Sequence, residues 1–230
     1  MENSVKSPII SLKGVSKSYR LGQILVPALK NVSLDIHGGE FAAVIGASGS
    51  GKTTLLNVIG CIDSPDTGVV ELAGINVEKL NDNEKSDLRN QKISFIFQSF
   101  NLVPVLSVFE NVELPLLINR RILREERETR VSEAIKDVGL EKYARNRPDQ
   151  LSGGQRQRAA IARALAGHPA LVLADEPTAN LDSENSHKII DLMMHLNSQR
   201  NVTFLFSTHD EKLMGRVGRI IHIRDGVLNS

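Results

Sequence analysis

The sequence has little cysteine, no excess of charge of either sign and no long hydrophobic run. Its one cysteine, Cys61, cannot form an intramolecular disulfide, and residues 1–6 lead into no apolar stretch of the signal-peptide type, which together predict a protein of the reducing cytoplasm. The most apolar segments, such as Phe41–Ile45, are far shorter than the roughly 20 residues of a membrane-spanning helix. We therefore expect any work at a membrane to require a separate membrane subunit. Cys61 itself is expected to be a small buried residue.

The charge balance excludes a further class of partner. Lys and Arg number 28 and Asp and Glu number 27, so the formal net charge of the 230 residues is +1. Such a chain has no overall field that attracts nucleic acid or an anionic membrane surface, and we predict no nucleic-acid partner. Any bound anion must be held by local groups. A hydrophobic fraction of 41% and a charged fraction of 24% are typical of a globular chain, and 230 residues suffice for one substantial core or two closely packed lobes.

Short apolar runs rich in β-branched and aromatic residues recur without clear alternation, which is typical of parallel strands buried on both faces. These runs cover residues 41–45, 93–97, 171–174 and 202–206. Helical patterns at 52–60, 155–166 and 184–197 lie between them, so the sequence predicts an α/β core. Shorter runs joined by Gly and Asp turns predict antiparallel strands in the amino-terminal third, at residues 9–12, 32–36 and 68–72.

Residues 98–150 differ from the rest of the chain and predict a helical insertion. An apolar entry at 100–106 is followed by charge-laced helical sequence at 119–138, in which Glu126 stands four residues before Arg130, a spacing that supports a helix. The mixed charges fit either a solvated helix face or a docking surface. The apolar entry fits either a groove for a partner helix or the core of the insertion.

A glycine-rich segment fits the pattern G-x-x-x-x-G-K-[ST] between a predicted strand and a predicted helix. Its residues are Gly46, Ala47, Ser48, Gly49, Ser50, Gly51, Lys52 and Thr53. Glycines let consecutive N–H groups point into one concavity, and the helix N-terminus adds partial positive charge, so this segment is predicted to hold phosphate. Lys52 would place its charge on the terminal phosphates, and Thr53 would offer its hydroxyl to Mg²⁺.

Two acidic residues end the apolar run at 171–174. A carboxylate at the tip of a buried strand suits Mg²⁺, and its neighbour can orient and deprotonate an attacking water. We therefore assign Asp175 to the metal and Glu176 to the general base. Acids that merely terminate a strand are the alternative, which the phosphate loop elsewhere in the chain disfavours.

A second glycine-rich turn opens a second helix and predicts a second anion cradle. It is formed by Leu151, Ser152, Gly153, Gly154 and Gln155. One chain with one nucleotide-binding lysine needs only one cradle, so we expect each turn to close over the nucleotide held by another copy, with two copies sharing two ATPs. With these motifs in this order, the chain resembles the ATP-binding-cassette (ABC) family, whose signature is Leu-Ser-Gly-Gly-Gln, over nearly its whole length.

The resemblance implies a fold, an activity and bound groups. The fold is a single α/β ABC ATPase domain, with a phosphate-loop NTPase (RecA-like) core, an antiparallel β subdomain and an inserted α-helical subdomain. Residues 1–97 would hold the antiparallel strands and the nucleotide-binding part of the core, 98–152 the helical subdomain and 153–230 the remainder of the core. The activity is ATP hydrolysis with ATP and Mg²⁺ bound, in a head-to-tail homodimer that holds ATP between its chains.

Individual residues match positions of known role in the family. Tyr19 resembles the aromatic that stacks on adenine, Gln98 the glutamine that contacts Mg²⁺ and the water, and His209 the switch histidine that contacts the γ-phosphate. The segment 180–182 resembles the loop that crosses the dimer interface, although its Asn-Leu-Asp departs from the common Ser-Ala-Leu-Asp. The resemblance thus assigns catalysis to Lys52, Glu176 and His209. It assigns the metal to Thr53, Gln98 and Asp175. It assigns nucleotide binding to Tyr19, Gly46, Ala47, Ser48, Gly49, Ser50, Gly51, Lys52, Thr53, Thr54, Gln98, Ser152, Gly153, Gly154 and Gln155.

Within the family, the runs at 57–63, 97–104 and 110–116 look most like the lipoprotein-releasing and macrolide-efflux group. This implies a homodimeric ATPase, peripheral at the cytoplasmic face of the inner membrane, that transmits force through integral membrane transporter subunits. A regulatory membrane complex that controls cell-wall enzymes during division remains an alternative. An ATPase of DNA repair or chromosome structure is disfavoured, because residues 98–150 are too few for a long coiled coil. Substrate and direction of transport belong to the membrane subunit.

Overall fold

The computed structural model describes residues 7–119, 122–209 and 215–229; residues 1–6, Arg120 and Arg121, which fall within sequence predictions above, lie outside them. The strands are β1 (Ile10–Leu21), β2 (Ile24–Ile36), β3 (Phe41–Ile45), β4 (Thr67–Leu72), β5 (Ile75–Asn76), β6 (Ile93–Ile96), β7 (Leu171–Asp175), β8 (Thr203–Thr208), β9 (Arg219–Arg224) and β10 (Val227–Asn229). The helices are α1 (Lys52–Ile59), α2 (Asp82–Lys92), α3 (Val108–Ile118), α4 (Arg124–Asp137), α5 (Gly153–Leu165) and α6 (Ser183–Arg200).

A six-stranded sheet forms the centre of the fold, in the order β10-β9-β3-β8-β7-β6. The five strands from β9 to β6 pair in parallel, and β10 is antiparallel to β9. Every residue of β3 and β8 is buried, because layers cover both faces of the sheet. The predicted α/β core is confirmed, and its four predicted strands begin and end within two residues of the observed ones.

Successive residues of a central strand point into two different hydrophobic cores. Phe41, Ala43 and Ile45 of β3 pack with the buried side chains of α3 to α6. Ala42 and Val44 pack on the other face with those of α1 and of the antiparallel sheet. The carboxyl ends of β3, β7 and β8 meet at one edge between these layers, where parallel sheets place their ligands.

The antiparallel sheet has the order β2-β1-β4-β5 and confirms the predicted antiparallel strands. β1 and β2 are much longer than predicted, at 12 and 13 residues. Their buried alternation is interrupted where the pairing register shifts beyond Leu12, and their paired ends carry the exposed apolar residues Leu21, Ile24 and Leu25. A hairpin that leaves its apolar side chains in solvent has no in–out pattern from which its length could be read.

The helical insertion consists of α3, α4 and the short turns that lead to α5. Asn111 in α3 is fully buried, and its amide donates to the carbonyls of Val103, Leu106 and Ser107, so it fastens the loop after β6 to the first turns of the helix. The expected pair of Glu126 and Arg130 is present at 2.5 Å. Among the described residues, no helix has the length and hydropathy needed to cross a bilayer.

The sequence analysis predicted neither helix α2 nor the β9–β10 hairpin. Helix α2 is almost wholly polar and buries only Leu88, so apolar periodicity is missing, although its capping box of Asn81 and Glu84 is a recognisable start. The β9–β10 hairpin turns at Asp225 and Gly226, both with positive φ, and its strands alternate between buried and exposed residues. The division at residues 97/98 and 152/153 stays a prediction.

Cys61 is buried directly after α1, with 5% of its surface exposed, as expected for a small core residue. Burial raises the pKa of its thiol to about 11, so the reactive thiolate is rare at neutral pH. This environment gives the residue a packing role.

Candidate functional site

The glycine-rich loop 46–51 connects β3 to α1 and is shaped by backbone approaches that a side chain would prevent. A Cβ at Gly46 would lie 2.2 Å from the carbonyl oxygen of Ile223, and a Cβ at Gly51 would lie 2.5 Å from that of Ala28. Gly51 also has φ of 109°, which L side chains rarely adopt. The loop therefore closes tightly against its neighbours and ends at the N-terminus of α1, a site suited to anions.

Lys52 brings a charge into this loop. Its side chain is 6% exposed, and its ammonium donates to the carbonyls of Gly46 at 2.8 Å and Ala47 at 2.9 Å. These bonds hold a buried cation over the concave side of the loop, where the helix dipole also favours negative charge.

A chain of hydrogen bonds joins the loop to the acid pair. Thr53 donates to Asp175 at 2.9 Å, and Ser207, the fully buried penultimate residue of β8, donates to the other Asp175 oxygen at 2.5 Å. The Ser207 oxygen in turn accepts the backbone N–H of Glu176 at 2.9 Å. One side chain from the neighbouring strand thus fixes both acids relative to Thr53.

Glu176 is held in an unusual backbone conformation. Its φ is 45°, in the left-handed region that non-glycine residues rarely occupy, and such geometry persists only where surrounding contacts impose it. Its carboxylate lies 4.0 Å from the Lys52 ammonium and 3.1 Å from Nδ1 of His209, which follows β8. Lys52, Glu176 and His209, predicted as the catalytic group, are therefore adjacent.

Lys52 and Glu176 border one cavity of about 400 Å³, whereas His209 is not among the residues that line it. Its lining residues are Tyr19, Ala28, Ser48, Gly49, Gly51, Lys52, Thr53, Thr54, Gln98, Asp175 and Glu176. The cavity unites most of the predicted nucleotide and metal positions. Gly46, Ala47 and Ser50 line a second cavity on the other side of the loop, beside the β9–β10 hairpin.

The second glycine-rich turn does not reach this cavity. Ser152 caps α5 by accepting the N–H of Gln155, whose side chain accepts the N–H of Ser152 in return. The first turn of α5 lies beside the segment 180–182, since a Cβ on Gly153 would be 3.4 Å from Leu181. Within one chain, the predicted signature residues therefore lie outside the cavity that the phosphate loop lines.

Gln98 and Asn180 connect the parts of the site. Gln98 follows β6 and lines the cavity, and its backbone carbonyl accepts a hydrogen bond from the Asn180 side chain at 2.8 Å. Asp182 caps α6 by accepting the N–H of Asn185. The predicted interface segment is thus tied to the residue that begins the helical insertion.

Sequence reasoning missed Ser207 and Asp63, which both contact predicted site residues. Ser207 is a polar residue at the end of an apolar strand beside the acid strand, and parallel pairing of β7 with β8 would have placed it opposite Asp175. Asp63 accepts the phenol proton of Tyr19 at 2.7 Å. No spacing rule links these two residues, which are 44 positions apart.

Known proteins resemble this chain along nearly its whole length. The family profile described as ABC transporter matches residues 29–179. An uncharacterised ABC transporter ATP-binding protein of Methanocaldococcus jannaschii, MJ0796, is 48% identical over 221 residues, which are 95% of this chain and 94% of that protein. The macrolide export ATP-binding/permease protein MacB of Syntrophobacter fumaroxidans is 44% identical over 221 residues, 96% of this chain but only 31% of that protein.

A solved structure of the same archaeal protein is also similar. It is the dimeric structure of a post-hydrolysis state of MJ0796 bound to ADP and Pi, with a TM-score of 0.87 at 46% identity, and the match covers 96% of this chain and 97% of that one. The expected fold, an α/β core with an antiparallel sheet and a helical subdomain, is thereby confirmed.

An added side chain would lower the stability of the fold by different amounts at different loop glycines. We predict that Gly51→Ala lowers the free energy of unfolding by about 2–4 kcal/mol. The alanine would have an unfavourable φ, and its Cβ would collide with the carbonyl oxygen of Ala28. Gly49→Ala is the matched control: Gly49 has φ of 77° but nothing within 4 Å of its Cβ position, so we expect a loss of about 1 kcal/mol. Urea titration measures both, and equal losses would contradict the close approach at Gly51.

Proposed function

The chain belongs to the ABC transporter family and is an ATPase, and from this premise we propose that two copies of it drive a separate membrane subunit. The proposal rests on the separation of the two glycine-rich segments within one chain. The phosphate loop and the acid pair share one cavity, while the signature turn at Ser152 lies outside it. A second chain is needed to bring a signature turn to each nucleotide.

Nucleotide binding follows from the lining of the cavity. The loop amides and the N-terminus of α1 would hold the phosphates, and Lys52 would add about 4 kcal/mol of attraction at roughly 4 Å and an effective dielectric constant of about 20. Tyr19 at the cavity wall supplies a ring on which adenine can stack. Local groups of this kind account for phosphate binding by a chain whose net charge is +1.

The donors at the junction of α1 and β7 fit a bound Mg²⁺. The Thr53 hydroxyl and an Asp175 oxygen lie 2.9 Å apart, and Gln98 lines the same cavity. Magnesium prefers oxygen ligands and is usually held by one or two protein groups together with substrate phosphates and water. No cluster of three or more His, Cys, Asp and Glu ligands occurs among residues 7–119, 122–209 and 215–229, which agrees with a cation held largely by phosphate. When bound, Mg²⁺ would neutralise charge on the phosphates.

Hydrolysis would use the residues next to the phosphates. Glu176 would accept a proton from the attacking water. His209, whose Nδ1 lies 3.1 Å from the Glu176 carboxylate, would orient that carboxylate and contact the γ-phosphate. Lys52 and the signature amides of the other chain would stabilise the developing negative charge. Release of phosphate removes contacts between the chains, so hydrolysis would loosen the dimer.

The surface beside Gln98 provides a place for the membrane subunit. Val103 and Val105 are exposed, the latter by 70%, in the loop that Asn111 fastens to α3. A partner helix that docks there would lie next to a residue of the nucleotide cavity. We propose that the complex is peripheral at the cytoplasmic face of the inner membrane and serves lipoprotein release or macrolide-type efflux by transmitting force. The name of the MacB relative supports the efflux alternative.

The general base is tested by Glu176→Gln. We expect this variant to bind ATP with unchanged affinity and to hydrolyse it about 10²- to 10⁴-fold more slowly, the usual contribution of a general base. Glu184→Gln, at an exposed position in the first turn of α6, is the matched control and should keep the normal rate. Steady-state phosphate release measures both, and normal turnover of Glu176→Gln would refute the assignment.

The shared site is tested by Ser152→Arg. A large cation at the signature turn should leave ATP binding to the loop intact and abolish cooperative hydrolysis, because the turn then no longer fits the other chain's nucleotide. Ser107→Arg is the control, since Ser107 caps α3 with an equivalent capping box away from the signature. ATP titration of the hydrolysis rate distinguishes the two variants. A monomeric Ser152→Arg variant that hydrolyses ATP at the normal rate would refute the two-chain site.

The membrane partner is tested by purification from the native host in detergent. We expect an integral membrane protein to co-purify with the wild-type chain and to be lost with Val105→Asp. Leu25→Asp, on the β1–β2 hairpin and similarly exposed at 64%, should retain it. A soluble partner, or none, would count against the proposal, and the identity of the membrane subunit would separate a transporter from a regulator of cell-wall enzymes.

A further inference from the structure

Tyr19 lines the nucleotide cavity and is hydrogen-bonded to a residue that does not line it. Its phenol donates to Oδ2 of Asp63 at 2.7 Å. The Lys17 ammonium lies 5.4 Å from the centre of the tyrosine ring. Tyr19 lies near the end of β1 and is 37% exposed.

The Asp63 carboxylate accepts three hydrogen bonds. Its Oδ1 accepts from the Lys17 ammonium at 2.7 Å and from the backbone N–H of Ser64 at 2.8 Å, while Oδ2 accepts from Tyr19. The turn that carries Asp63 is fixed to the end of α1, because the N–H groups of Ile62 and Asp63 both donate to the carbonyl of Asn57. The carboxylate therefore joins the antiparallel sheet to the helix that begins at the phosphate loop.

The charge states of the cluster reinforce one another. Burial opposes ionisation of Asp63, but hydrogen bonds from Lys17 and Tyr19 outweigh it and lower the pKa of the carboxyl. The hydrogen bond to Asp63 raises the pKa of Lys17, and burial together with the same carboxylate raises the pKa of the Tyr19 phenol. Around neutral pH the acceptor therefore stays ionised and both donors keep their protons.

We propose that Asp63 is a positioning residue for the nucleotide base, which acts by holding the ring of Tyr19 in one orientation beside the phosphate loop. The proposal rests on the proposed function, in which Tyr19 stacks on adenine. A ring fixed before binding loses less conformational freedom when the base arrives, so affinity rises without any contact between Asp63 and the nucleotide. Phosphate binding should be indifferent to Asp63, because Lys52 and the loop amides are held by other contacts.

The test compares a ligand that has the base with one that lacks it, in a double-mutant cycle. ADP and inorganic pyrophosphate are titrated calorimetrically against wild type, Asp63→Ala, Tyr19→Phe and the double variant. We expect Asp63→Ala and Tyr19→Phe each to weaken ADP binding roughly 5- to 10-fold, which lies within the range of the net contribution of a single hydrogen bond. The double variant should be no weaker than either single variant, and pyrophosphate affinity should not change. Asp66→Ala is the control, because Asp66 is near Lys17 but does not contact Tyr19.

The outcomes separate this inference from the function on which it rests. Additive losses in the double variant, or equal losses for ADP and pyrophosphate, would show a general structural role for Asp63 and overturn the inference. Tyr19→Ala reports on the base site itself: if it weakens ADP binding while Tyr19→Phe and Asp63→Ala do not, the positioning role alone is wrong. If Tyr19→Ala leaves ADP binding unchanged, both the adenine assignment and the positioning role are wrong. Tyr19→Phe keeps the ring packing, so the cycle remains readable if an alanine variant unfolds.

Discussion

The hydrogen bond from Thr53 to Asp175 is the contact on which the rest of the site depends. Thr53 belongs to the helix that the phosphate loop opens, and Asp175 ends the strand that carries the acids. Ser207 extends the contact to the backbone of Glu176, so the ends of two neighbouring strands, β7 and β8, and one helix share a single arrangement. This chain of bonds fixes the distances between the proposed metal donors, the proposed general base and the proposed phosphate loop before any nucleotide binds.

The same arrangement explains why the chain needs little charge and a second copy. In the proposed site, loop amides, a helix N-terminus and one buried lysine would attract phosphate at short range, so a net charge of +1 is no obstacle. The signature turn is a complete helix start with its own capping box, yet its residues do not line the nucleotide cavity of their own chain. A site shared between two chains accounts for this separation.

The sequence predicted the parts of the fold in which residue pattern and burial agree. The core strands were found because both of their faces are covered, and the phosphate loop and the cap of α5 were found because each has a fixed local spacing. The full length of β1 and β2 was missed because the paired ends of these strands expose their apolar residues. Helix α2 was missed because it is almost wholly polar and therefore has no apolar periodicity. Ser207 and Asp63 were missed because their partners, Asp175 and Tyr19, lie 32 and 44 positions away in the sequence and come into contact through folding.

The central claim is that the active arrangement is completed between two chains. A crystal structure of Glu176→Gln with ATP and Mg²⁺ tests it most directly, because the variant should retain the unhydrolysed nucleotide. The account predicts two chains related by a two-fold axis, each ATP lying between the Lys52 loop of one chain and the Ser152 turn of the other. An ATP bound by a single chain, with the Ser152 turn of every copy remote from any nucleotide, would contradict it.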